Sequence, residues 1–111
     1  MRLIFTFLFS LVFVLAGLGQ NTIAKLKYEE AEEAFSRDDY RKTLEKLDDS
    51  EKAMKMSNQK TMYLRILAQA KLAEKDFAIL QSARKNATSY LSKYQNNTGI
   101  EDKYREIYKI S

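Results

Sequence analysis

From Asn21 onward the apolar positions recur at helical spacing, and almost nothing alternates as a half-buried strand would. Ala24, Tyr28, Ala31 and Phe35 form one stripe, widened by Ala34, opposite a face rich in Glu and Lys; this predicts a first amphipathic helix. Residues 36–39 break the pattern. Asp39 stands where an N-cap carboxylate would accept the orphan backbone N–H groups of a second helix, which carries Tyr40, Leu44, Leu47 and Met54. Ser57 and Asn58 make the next break. A third helix is expected over about Lys60 to Glu74, apolar around most of its circumference through Met62, Tyr63, Leu64, Ile66, Leu67, Ala68, Ala70, Leu72 and Ala73. Such a helix must be enclosed by neighbours, so it is predicted to be the central element.

Asp76 repeats the capping role for a fourth helix with Phe77, Leu80, Ala83, Ala87, Leu91 and Tyr94 along one stripe. Residues 96–99 read as a loop. Thr98, followed three residues later by Glu101, has the spacing of a capping box and predicts a fifth helix with Ile100, Tyr104, Ile107 and Tyr108. The expected fold class is therefore all-α, built of antiparallel helix-turn-helix units.

Residues 1–19 follow a different logic. After Arg2 comes an apolar run over residues 3–18, interrupted only by Thr6, Ser10 and Gly17 and free of acids. A basic start, an apolar stretch and small residues at Gly17 and Gly19 predict a secretory signal peptide cleaved before Gln20, which leaves residues 20–111 as the exported domain. The alternative is an uncleaved membrane anchor formed by residues 3–18, a run just below the roughly 17–25 residues that span a bilayer core. The expected location is secreted or periplasmic, with membrane attachment only if the segment is retained.

Composition then removes whole classes of chemistry. The 111 residues include no His, Cys, Trp or Pro. A His-based triad, a Cys nucleophile and the usual zinc sites are excluded. Carboxylates remain, but Glu29, Glu30, Glu32, Glu33, Asp48, Asp49 and Glu51 alternate with Lys on the polar faces, as solvated helix surface does. No catalytic residue, metal site or cofactor is predicted. The net charge of +4 is too dispersed for a nucleic-acid binder. It is uneven along the chain, however: residues 58–98 hold seven basic and two acidic groups, residues 22–57 eight and ten. A basic second half could meet an anionic envelope polymer or lipid surface, which is the alternative functional reading.

Asp39-Tyr40 and Asp76-Phe77 lie 37 residues apart, each between a pair of helical segments, and mark an internal repeat. In the second copy Leu64, Leu67, Ala68, Phe77 and Ala87, and in the first Ala31, Phe35, Tyr40, Leu47 and Ser50, fall at spacings that resemble the tetratricopeptide repeat. The period is three longer than the usual 34 or so, and Asp38 and Lys75 stand at the turn where that family has Gly. The resemblance implies an α-solenoid fragment of about two repeats plus a closing helix, with the aromatic after each turn wedged between helices. It also implies a scaffold for protein–protein interaction with a concave groove for a protein or peptide. The groove positions would be Lys25, Tyr28, Glu32 and Phe35 in the first copy and Met62, Arg65, Gln69 and Leu72 in the second.

Overall fold

The computed structural model describes residues 21–111, and the expected signal or anchor segment lies outside that range. All regular structure among the described residues is helical. Helix α1 covers residues 21–36, α2 Tyr40–Met54, α3 Gln59–Ala73, α4 Phe77–Lys93 and α5 Glu101–Ile110. Neighbouring helices pack in pairs, giving the all-α architecture of stacked hairpins.

The helix boundaries follow from local chemistry. The Asp39 carboxylate accepts the Lys42 N–H at 3.2 Å, and that of Asp76 accepts the Ala78 N–H at 3.1 Å, so both expected caps form. Helix α2 ends because Lys55 adopts a left-handed conformation, φ 61°, and its N–H returns to the Glu51 carbonyl. Asn58 and Thr61 then form a full capping box for α3, each side chain taking the other's backbone N–H at 2.9 Å. The box expected at Thr98 does not form. Gly99 takes φ 82°, the helix starts after Ile100 without a side-chain cap, and Glu101 instead accepts the Gly99 N–H.

Helix α3 is the central element, packed against α2, α4 and α5. It contributes to two apolar clusters. Leu64 joins Ala31 and Leu47, flanked by Tyr28 and Phe35, and so ties α3 to the first hairpin. Ile66 joins Ala87, Tyr90, Tyr94 and Ile107 from α4 and α5. Leu67 is only half-buried at the edge of this second cluster. Small residues allow the helices to approach: Ala31, Ala34, Ala68, Ala83 and Ala87 are fully buried. Buried hydroxyls find partners at once, with Ser50 donating to the Ala24 carbonyl at 2.7 Å and Thr43 to that of Asp39 at 2.9 Å.

The wedge expected at Phe77 is corrected by the structure, which leaves that ring 73% exposed. Its counterpart Tyr40 is half-buried and meets Phe35 edge-on at 5.4 Å. The cause is a phase shift. The first helices of the two hairpins match at 37 residues, since Ala24 and Thr61 are both buried, as are Ala31 and Ala68. In the second helices the buried triplets are Thr43, Leu47, Ser50 and Ala83, Ala87, Tyr90, which match at 40. Three extra residues turn a helix by about 300°, equivalent to 60° backwards. Helix α4 is rotated by that amount relative to α2, and its first residue swings out of the core.

Candidate functional site

Side chains from α3, α4 and α5 converge around Tyr63. Its hydroxyl donates to the Glu106 carboxylate of α5, and the Lys103 ammonium stands 5.0 Å over its ring. Behind it, the Tyr90 ring of α4 lies 6.4 Å away, and the Tyr90 hydroxyl accepts from the Gln59 amide at 2.7 Å. Tyr28 of α1 packs against the neighbouring cluster that holds Leu64 of α3.

The electrostatics of this surface favour neutral phenols. Burial first, and the Glu32 charge second, push Tyr28 up to about 12. Burial, followed by the hydrogen bond to Glu106, raises Tyr63 as well. Tyr90 is raised mainly by burial, against the opposing hydrogen bond from Gln59. Groups held protonated in this way offer ring faces and hydroxyl hydrogen bonds and do not act as bases near neutral pH.

The eight groove positions expected from the repeat do not share one surface. Lys25 and Tyr28 line a cavity of about 300 Å³ with Met54, Asn58 and Lys60, between α1, the end of α2 and the start of α3. Glu32 is exposed on α1, and Phe35 packs against the first core cluster. On α3, Arg65 reaches α2, pairing with Asp48 at 2.8 Å and Glu51 at 2.7 Å. Met62 sulfur receives the Tyr94 hydroxyl of α4 at 3.6 Å, and Gln69 accepts from Asn86 of α4 at 2.9 Å. Leu72 lines a separate cavity of about 660 Å³ at the other end of the bundle, with Asp38, Tyr40, Lys71, Glu74 and Asp76. Met62, Arg65 and Gln69 therefore turn toward the second helices. Sequence reasoning missed Tyr63, Lys103 and Glu106. Helix α3 is apolar nearly all round, so its pattern carried no phase to say which stripe faces α1. The one available signal was the Tyr at position 63, an amphipathic residue suited to a half-open surface.

The basic half also reads differently in three dimensions. Arg65 is neutralised by α2, whereas Arg84, Lys85 and Lys93 are exposed on α4, a helix without a carboxylate, and form no ion pair among the described residues. No helix of the described residues is long and apolar enough to cross a membrane. No protein-family model, curated protein or solved structure matches the chain.

Proposed function

We propose that the chain is an exported, tetratricopeptide-like helical scaffold that holds a protein or peptide partner and performs no catalysis. The observation that carries this reading is the convergence of α3, α4 and α5 side chains on Tyr63, which makes one mixed aromatic and charged surface out of three separate helices. Half-buried Tyr is a side chain that interfaces favour, and Lys and Glu at its margin fit the polar rim around such a patch. The apolar run at residues 3–18 supports export.

The test is site-resolved capture in the native envelope. A photo-crosslinker at position 28 or 103 should trap a polypeptide, and Tyr63→Ala should abolish the product while the helical spectrum is kept. Trapping that is indifferent to Tyr63 rejects this surface as the site. A polyanionic envelope polymer is favoured as a second reading by the carboxylate-free face of α4. That binding would fall steeply with salt and vanish on Arg84→Glu with Lys85→Glu, neither of which touches Tyr63.

A further inference from the structure

The two ends of the bundle differ in chemistry. At the end holding the α1–α2 and α3–α4 turns, carboxylates and cations mix: Asp38, Glu74 and Asp76 stand with Arg41, Lys71 and Lys75. The opposite end gathers Asn21, Ala24 and Lys25 of α1, the end of α2 and the start of α3 around one cavity, which includes Lys60. Lys52 and Lys55 are exposed there too. Glu51 is the nearest carboxylate on α2, and it is turned inward onto Arg65. Glu101 and Asp102 also belong to this end, but on α5, whose packing is in the other core cluster.

Exposed apolar side chains concentrate at the same cationic end. Five large hydrophobic side chains are exposed among the described residues, and three are here: Ile23 at 48%, Leu26 at 51% and Met56 at 63%. Met56 follows the left-handed Lys55, which ends α2. Residue 21 lies three positions after Leu18, the end of the apolar run. At 1.5 Å per residue, Ile23 lies roughly 3 Å along α1 from residue 21, within a headgroup layer roughly 5–8 Å deep, and Leu26 roughly 8 Å along, at the outer edge of that layer.

We propose that this end is a bilayer-docking surface: Ile23, Leu26 and Met56 enter the headgroup layer, while Lys25, Lys55 and Lys60 meet anionic headgroups. It rests on the export reading, with the run at residues 3–18 kept on the chain as a membrane anchor. The mixture of exposed apolar groups and unpaired Lys is what an interfacial surface requires, since neither element alone gives firm attachment. The scaffold then stands on the membrane with the α1–α2 and α3–α4 turns pointing away from it.

The full 111-residue chain, reconstituted into phosphatidylcholine–phosphatidylglycerol vesicles with brominated acyl chains, tests this directly. The native sequence has no Trp, so Leu26→Trp, Met56→Trp and Phe77→Trp each report one position. All three sites are exposed, and circular dichroism checks that each variant keeps its helices. Trp at positions 26 and 56 should lose about half its emission or more, as expected for residues seated at the acyl boundary, and Trp at 77 should keep it. Adding Lys55→Glu and Lys60→Glu should release the Met56→Trp reporter roughly fivefold for each lysine removed, while the chain still pellets with the vesicles. Equal quenching at all three positions, or none at 26 and 56 in a vesicle-bound chain, overturns docking and leaves export standing. Native protein that begins at Gln20 overturns the retained anchor. Native protein confined to the cytosol overturns export itself.

Discussion

The two hairpins are capped alike and packed differently. In α1–α2 the turn passes through Asp38 at φ 62°, and Tyr40 folds back onto Phe35 with its hydroxyl donating to Asp38 at 2.8 Å. In α3–α4 no turn residue has a positive φ, and Phe77 projects into solvent. The buried stripe of α4 places Tyr90 where α2 has Ser50, and that ring fills the space against Ile66, Tyr94 and Ile107. Repeated capping aspartates therefore fix where the helices begin and leave their rotation to the core. A duplicated pattern of caps does not entail duplicated packing.

The largest effect should come from the core that the second hairpin shares with α5. Ile66 is fully buried there, and Ile66→Ala should cost about 2–5 kcal/mol in denaturant unfolding. Leu67→Ala should cost clearly less, because Leu67 sits at the margin of the same cluster. If Leu67→Ala proves the more damaging, the rotation of α3 assigned here is wrong.

That contrast shows what was legible beforehand. Helix number, the capping roles of Asp39 and Asp76 and the central place of α3 all follow from side-chain chemistry within a few residues, and the structure contains them. The rotation of α3 and α4 about their own axes does not. Where Met62, Tyr63, Leu64, Ile66 and Leu67 are consecutive or nearly so, every face is apolar and only the neighbours choose among them. The resemblance puts the stripe of Met62, Arg65 and Gln69 in the groove, whereas it lies toward α2 and α4. Thr98 shows the same limit at short range, because the capping-box spacing was present and the left-handed Gly99 moved the helix start past it.

A second comparison sets Tyr28 of the first hairpin beside Tyr63 of the second. Both phenols are raised above the ordinary 10.0 in the folded chain, Tyr28 to about 12. Their contribution to stability is full below pH 10.0 and is lost as the pH climbs through the folded values, because the unfolded chain releases those protons first. Thermal stability should therefore fall between about pH 10 and pH 12. Tyr28→Phe and Tyr63→Phe should each flatten the slope, and a slope unchanged in both variants would place the phenols in open water.

The turns offer a test of sign. Asp38→Gly removes the roughly 1 kcal/mol that a left-handed conformation costs a side-chain-bearing residue, offset by the lost acceptor for Tyr40. Lys75→Gly brings no such relief and should destabilise by roughly 0.5–1 kcal/mol through added freedom of the unfolded chain. Chemical denaturation of both variants should give a more favourable change for Asp38→Gly than for Lys75→Gly. The reverse order would mean that the two turns have exchanged roles.

The smallest effect is the most discriminating for the phase shift. Phe77 and Tyr40 occupy the same place after their capping aspartates, and an exact repeat would make both structural wedges. With α4 rotated, Phe77→Ala should change stability by no more than about 0.5 kcal/mol, as exposed positions do. Tyr40→Ala should cost on the order of 1 kcal/mol, since it removes the edge-on contact with Phe35 and the hydroxyl bond to Asp38. Equal losses from the two substitutions would restore the exact repeat and cancel the rotation, because a ring in open solvent has no packing to lose.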